Sequence, residues 1–467
     1  MPATTSRSDS SQYLASIDEI DVQVQSQQNR GRRLLSAWIT MVPSKGITIL
    51  LQMIAIPIVY HAIGPAQFAA YAAVTSAIMI LSFLNLGMGG ALVTPLAQAS
   101  ATHDRERESR LFCSALVPIA SAAGLALCIA LPLLWSLPLK LLFGIAASTV
   151  PARELRIAAL FACVGTLAVV PFSVIDSARQ AYQEMHISNI FGTLSNGALC
   201  VGLILVAWFA PTLSAFVAVT ALLPLAVRAL NLVLLFAGRP HLIRMRRGWV
   251  SWALMRSLAG DGLSYMGAAA IANVLLYEWP TYYIARVRPA LESSTFAVYL
   301  RLVLLVLSFG VSFLQPLWPA IADATAKADA DWVLRAVRRA RLAALGYGVF
   351  GLLTFGFGMN ALLKLWLHRP IHVQSAICWL AGGYLLLAMW EYVHWPIALG
   401  LGKMRAASHL VFFRAVVFAL VLPLAARYSQ VAVMALFCAS VIFVSAWRYP
   451  QLLSKALEKL NPVGVPL

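Results

Sequence analysis

Charged residues are scarce in this sequence: Asp, Glu, Lys and Arg together make up 11% of 467 residues. A soluble domain carries about 25% charged residues, because they cover its surface. Apolar runs rich in Leu, Ala and Val occupy most of the chain, and the mean hydropathy is +0.79. The composition therefore excludes a sizeable soluble domain and predicts an integral membrane protein.

Motifs for catalysis and for metal or nucleotide binding are also missing. The six cysteines form no CxxC pair, and the eight histidines lack metal-ligand spacing. Residues 400–403 are too short a motif for a phosphate-binding loop. The polar first residues lack the apolar segment of a signal peptide. We therefore predict a protein that is not an enzyme and that uses no cofactor and no metal.

The apolar runs are long and show no period-two alternation, so helices rather than strands are expected to cross the membrane. A spanning helix needs about 20 mostly apolar residues. This length predicts about twelve transmembrane helices. They are expected at residues 36–60, 68–86, 112–135, 155–175, 190–209, 213–236, 258–284, 296–316, 342–367, 377–399, 408–426 and 431–447.

Basic residues set the predicted orientation. Most of the 35 Lys and Arg residues fall in segments that share one side if the N-terminus is cytoplasmic. This placement also accounts for the net charge of +17 without a nucleic-acid partner. Both termini are thus predicted to be cytoplasmic. The predicted organisation is an N-terminal tail at 1–33, a six-helix bundle at 34–237, a basic linker at 238–257, a second six-helix bundle at 258–447 and a C-terminal tail at 448–467.

The two halves share a short motif. Phe68-Ala-Ala-Tyr71 opens the second predicted span, and Phe296-Ala-Val-Tyr299 opens the eighth. Six spans separate the two copies, so the halves have the same orientation. Parallel halves are one known plan of transporters, in which the substrate site lies between the repeats.

Ionisable residues inside the spans are the first candidates for a site. Each costs at least ~2.5–3.5 kcal/mol in the membrane and usually faces a cavity. The candidates are Lys45, Arg228, Asp261, Glu278, Arg301, Glu391 and Arg414. Arg228 and Arg414 lie close enough to the inner face to snorkel or to form structural pairs. An aromatic cluster, Tyr277, Trp279, Tyr282 and Tyr283, predicts either sugar stacking or an interfacial belt.

The stretch at residues 54–99 resembles the opening of Wzx-like polysaccharide flippases of the multidrug/oligosaccharidyl-lipid/polysaccharide (MOP) superfamily. The positions that match are Ile63-Gly64, Phe68, Tyr71, Leu86-Gly87, Gly89-Gly90 and Ala91-Leu92-Val93. The resemblance implies an all-α, polytopic, MATE-like fold of two parallel six-helix bundles around a central cavity. Spans one, two, seven and eight would line that cavity.

The resemblance also implies roles for the charged residues. Lys45 and Arg301 would form a cationic substrate site, while Asp261 and Glu278 would lie in the same cavity. These two acids and Glu391 are the possible coupling acids. Arg228 and Arg414 would lie outside the cavity.

The predicted function is the transfer of polyprenyl-pyrophosphate-linked oligosaccharides across the bacterial inner membrane for surface-polysaccharide synthesis. Expected partners are the lipid-linked glycan, membrane lipid, and a polysaccharide polymerase and co-polymerase. Three alternatives stay open: a drug/cation antiporter of the same fold, a major-facilitator-type transporter, and a membrane-bound glycan polymerase or ligase. The last expects a large outer loop, whereas the longest one predicted, residues 136–154, is short.

Overall fold

The structure is a computed structural model that describes residues 46–81, 88–182, 184–243, 250–262, 268–326, 329–369 and 371–458. Every regular element in these ranges is a helix, as the apolar runs predict. Of the predicted site residues, Lys45 lies outside the described ranges.

The described residues of the first half form eight α-helices. Short 3-10 turns at Ile145–Thr149, Val170–Phe172 and Pro240–Ile243 join or extend them. The helices are α1 Gly46–Met79, α2 Met88–Ala101, α3 Arg105–Ser136, α4 Leu139–Phe143, α5 Ala152–Val169, α6 Ser173–Ala181, α7 Met185–Phe209 and α8 Leu213–Gly238.

The second half continues the same pattern, with ten further helices among its described residues. Two π-helical segments, Val274–Glu278 and Val441–Ser445, interrupt or extend them. The helices are α9 Trp252–Gly262, α10 Ala268–Asn273, α11 Trp279–Val287, α12 Ala290–Leu314, α13 Leu317–Ala326, α14 Ala330–Leu367, α15 Ser375–Gly400, α16 Met404–Tyr428, α17 Gln430–Ser440 and α18 Arg448–Glu458.

Gly64 divides α1 into two segments. Its φ of +76° lies in the left-handed region that favours glycine. The ring centroids of Tyr60 and Phe68 lie 5.3 Å apart, whereas eight residues of straight helix rise about 12 Å. The chain therefore folds back at Gly64, between the first and the second predicted spans.

Ten helices of the described residues are long and apolar enough to cross a membrane. Gly46–Met79 is one of them and contains the two segments on either side of Gly64. Residues 268–287 add a continuous stretch of α10, a π segment and α11, about 30 Å long at 1.5 Å per residue. The helices thus accommodate the predicted spans, although their ends are shifted.

Two helices lie where other structure was predicted. The α2 helix, expected as an inner loop, buries Leu92 and Leu96. The α9 helix includes the predicted start of span seven, and Leu258 from it joins the apolar cluster formed around α2 and α3. The α9 helix, which comes first in the second half, therefore packs on helices of the first half. Apolar burial explains why α2 and α9 pack as helices, because these short amphipathic segments are more stable with Leu buried than with Leu exposed.

Candidate functional site

An ion pair of the second half is linked to the first half by a hydrogen bond. Arg301 of α12 places Nη2 3.2 Å from Oε2 of Glu278. Ser76, in the second segment of α1, donates a hydrogen bond from Oγ to the same carboxylate oxygen at 2.7 Å. The site therefore contains one residue of the first half and two of the second. We call Ser76, Glu278 and Arg301 the seam site.

The local backbone explains the depth of the seam site. Glu278 ends the π segment, and Pro280, which lacks an N–H group, lies in the first turn of α11. The sequence predicts unwinding here, but the structure keeps a widened helical turn. Arg301 lies about three turns into α12 rather than one, because α12 begins at Ala290. At this position its guanidinium pairs with Glu278.

The exposed charge of the seam site is positive. The side chain of Arg301 is 40% exposed, whereas that of Glu278 is 14% exposed. Glu278 also has its second partner in Ser76. A guanidinium has five N–H donors, so Arg301 keeps donors for an anion that enters beside it.

The two halves touch at the predicted outer side of the seam site. Tyr282 of α11 donates to the carbonyl of Leu142 in α4 at 2.8 Å. Gly144, which follows α4, has a φ of +74°, and a Cβ there would lie 2.2 Å from Cα of Arg286. Both conditions require glycine. We call Leu142, Gly144, Tyr282 and Arg286 the outer contact.

The outer contact also includes one of the residues predicted to stack on sugars. Tyr282 is 6% exposed, so its ring is buried in this conformation, and its stacking role stays a prediction. Tyr277 bonds the hydroxyl of Tyr392 at 2.8 Å. The Trp279 ring packs at 5.5 Å on Tyr282 and at 5.9 Å on Tyr283. For these three partly buried residues, stacking stays a prediction.

A second ion pair is buried inside the second half. Arg414 of α16 pairs with Glu391 of α15, and their side chains are 1% and 5% exposed. Arg414 was expected to lie outside the cavity region, by snorkelling or in a structural pair. The structure shows the pair, and both residues line a cleft of about 340 Å³ within the second half. The location of Arg414 outside the central cavity stays a prediction. His394, one turn beyond Glu391, is buried and bonds the carbonyl of Trp390 at 2.6 Å.

The remaining charged candidates are separated from the seam site. Arg228 of α8 pairs with Asp176 of α6 at 3.4 Å, inside the first half. Asp176 was not predicted as a partner, although its position in an apolar span is a usable signal. Asp261 lies in α9, and its role stays a prediction. No group of three His, Cys, Asp or Glu residues that could hold a metal occurs in the described parts of the chain.

Solved structures with this helix arrangement are transporters. The inward-facing conformation of a multidrug resistance MATE family transporter of the MOP superfamily has a TM-score of 0.68 and 14% identity, over 88% of this chain and 96% of that one. The fold is MATE-like. An outward-facing conformation has a TM-score of 0.66 and 15% identity, over 92% and 96% of the two chains.

A third similar structure bears on the charge of the binding pocket. It is a MOP superfamily transporter from Pyrococcus furiosus, described by a "reverse polarity of binding pocket" that "suggests different function". Its TM-score is 0.63 at 14% identity, over 91% of this chain and 96% of that one. No protein-family model and no curated protein matches the sequence.

Proposed function

We propose that this protein is a flippase that moves polyprenyl-pyrophosphate-linked oligosaccharides across the bacterial inner membrane by alternating access. The half-exposed guanidinium of Arg301, between the two halves, is the observation that carries the proposal. A pyrophosphate is the anionic group of such a substrate. Charge-assisted hydrogen bonds from a guanidinium to phosphate oxygens are strong and directional, and the polyprenyl tail remains in lipid.

The pairing of the carboxylates supports an anionic substrate. Glu278 is engaged by Arg301 and Ser76, and Glu391 is engaged by Arg414. A cationic drug would need a carboxylate that is open to the cavity. Both of these acids are engaged by a guanidinium, whereas the side chain of Arg301 is 40% exposed.

Glu278 has a second role in this proposal. Its carboxylate occupies Arg301 until a phosphate arrives, so the phosphate and the carboxylate compete for one guanidinium. Release of Glu278 would leave its carboxylate without its guanidinium partner, so its surroundings differ between the empty and the occupied site. Glu278 is therefore the preferred coupling acid. Lys45 is proposed as a second phosphate ligand from the inner part of span one, and Asp261 as a further acid.

A drug/cation antiporter is the second candidate, favoured by the likeness to multidrug resistance transporters. In that case Glu278 would bind the cation, and Arg301 would be its resting counter-ion. The two candidates predict opposite effects of losing Arg301. Loss of Arg301, which would compete with a cationic drug for Glu278, should preserve or raise drug transport. The same loss should abolish transport of a pyrophosphate lipid.

The test is flipping of a fluorescent polyprenyl-pyrophosphate glycan by the purified protein in liposomes. We expect Arg301→Ala to slow flipping about ten- to a hundredfold, because a hydrogen bond to a charged group contributes about 1.5–3 kcal/mol. Arg228→Ala is the matched control, since Arg228 is also 40% exposed and paired with an acid, but within the first half. Equal loss in both variants, or uptake of ethidium that survives Arg301→Ala, would contradict the proposal.

A further inference from the structure

The cleft above the buried ion pair lies wholly within the second half, and the proposed phosphate site does not use it. Its mouth is formed by exposed Asn273 of α10, Gln315 after α12, and Trp318 of α13. Its floor is formed by buried Glu391 and Arg414. The opening thus leads from polar side chains at the surface to a salt bridge in the interior.

The walls of the cleft are aromatic. Tyr392 and Trp395, both partly buried, line it from α15. Trp318 is 40% exposed at the mouth, and Tyr449 of α18 is fully buried at the base. Aromatic faces carry negative electrostatic potential, which attracts the polarised C–H groups of a sugar ring.

Planar polar groups face the same space. Asn273, Gln315, Glu391 and Arg414 each present two polar atoms in one plane, a geometry that fits two adjacent hydroxyls of a sugar. Within the described residues, Nε of Arg414 has no hydrogen-bond partner, although the residue is 1% exposed. A buried donor of this kind is costly unless a ligand or water accepts from it.

We propose that this cleft binds a sugar ring of the transported glycan. A hydroxyl can donate to Glu391 and accept from Arg414 at once, so that neither charge loses its partner. A charged ligand would instead have to displace one member of the pair, which is expensive in the interior. The volume of about 340 Å³ lies near the lower end of ligand pockets, about 300–1,000 Å³, and suits a short glycan.

The wall of the cleft is hydrogen-bonded to the residue that precedes Glu278 of the seam site. Tyr392 in the cleft wall bonds Tyr277, and Tyr277 directly precedes Glu278 in the π segment. The cleft and the seam site therefore share the π segment, in which Leu276 lines the cleft and Glu278 belongs to the seam site. This assignment rests on the proposed function, because it identifies the sugar as part of the lipid-linked substrate.

The test compares binding of three probes to the purified protein in nanodiscs. The probes are polyprenyl pyrophosphate carrying one N-acetylhexosamine, the sugar-free polyprenyl pyrophosphate, and free N-acetylhexosamine. We expect Trp318→Leu to weaken binding of the glycosylated lipid about tenfold, which corresponds to one aromatic contact. Binding of the sugar-free lipid should be unchanged.

Two further variants keep this result interpretable. Gln315→Ala removes an exposed polar group of the mouth, so it tests the cleft without risk to folding, and it should show the same selective loss. Trp379→Leu is the matched control, because Trp379 is 39% exposed on α15 but packs on Phe357, outside the cleft. It should bind both lipids like the wild type.

The outcomes separate the two proposals. If Trp318→Leu and Gln315→Ala bind the glycosylated lipid as tightly as Trp379→Leu, the cleft assignment is wrong while the flippase proposal stands. If the wild type binds free N-acetylhexosamine in a Trp318-dependent manner but neither lipid, the cleft assignment stands and the flippase proposal is wrong. Binding of no probe by the wild type overturns both.

Discussion

The seam between the halves and the interior of the second half each hold one carboxylate–guanidinium pair. At the seam, Arg301 is 40% exposed and Glu278 is 14% exposed. In the interior, Arg414 and Glu391 are 1% and 5% exposed. The same two residue types thus meet in two environments, one open and one closed.

The difference shows what each pair is able to do. An exposed pair contributes little to stability, about 0–1 kcal/mol, so a substrate anion can separate it at low cost. A buried pair cannot lose one partner without leaving an uncompensated charge. The seam pair is therefore suited to exchanging partners during transport, and the interior pair is suited to shaping a neutral polar site.

Removal of the interior arginine should produce the largest effect. Arg414→Ala leaves Glu391 buried and unpaired, which is expected to cost about 3–5 kcal/mol of folding stability. Thermal unfolding of the purified protein should show a lowered Tm. The double variant Glu391→Leu with Arg414→Met should recover most of it, because an apolar pair has no charge to compensate. An unchanged Tm of Arg414→Ala would show that the interior pair is not different from the seam pair.

The outer contact can be weakened without touching either pair. In Gly144→Ala, the added Cβ meets the backbone of Arg286, so the halves should separate at their predicted outer ends. A single cysteine at Ala73, which packs with Ala285, should then react severalfold faster with an impermeant maleimide applied from outside.

Gly402→Ala is the control for backbone strain in this experiment. Gly402 also has a positive φ, but its Cβ would meet no atom within 4 Å. Its substitution should cost about 1 kcal/mol in strain and leave the labelling of Ala73→Cys unchanged. The same acceleration in both variants would assign the effect to general destabilisation.

Neutralising the carboxylate of Glu278 tests the seam pair from its acidic partner. Glu278→Gln can still accept from Ser76, but it no longer competes for Arg301. We expect sugar-free polyprenyl pyrophosphate to bind about fivefold tighter, because a competing interaction of about 1 kcal/mol is lost. Equilibrium binding in nanodiscs measures this change. Weaker binding would indicate that Glu278 orients Arg301 rather than competing with the substrate.

The smallest effect is expected for stability at the seam. Arg301→Ala should change the free energy of unfolding by less than about 1 kcal/mol, since its partner keeps a hydrogen bond from Ser76 and the pair is half-exposed. Thermal unfolding, run beside Arg414→Ala, checks the contrast. A loss as large as that of Arg414→Ala would make Arg301 a structural residue.

Local features of the chain were predictable from the sequence, whereas long-range contacts were not. Hydropathy located the spans because burial in lipid depends on composition within one segment. Gly64 lies at the turn between the first two predicted spans, because glycine adopts positive φ without strain. Pairing was less accessible: Ser76 and Glu278 are separated by 202 positions, and no short motif connects them.

The sequence by itself determined that this is an all-helical membrane protein and that Glu278, Arg301, Glu391 and Arg414 lie within its spans. These properties follow from hydropathy and from the cost of charge in hydrocarbon. The tertiary structure alone decided which charges meet and which remain open. Exposure and pairing depend on the neighbours that packing supplies, and packing places Arg301 at the seam and buries Arg414 at the floor of a cleft.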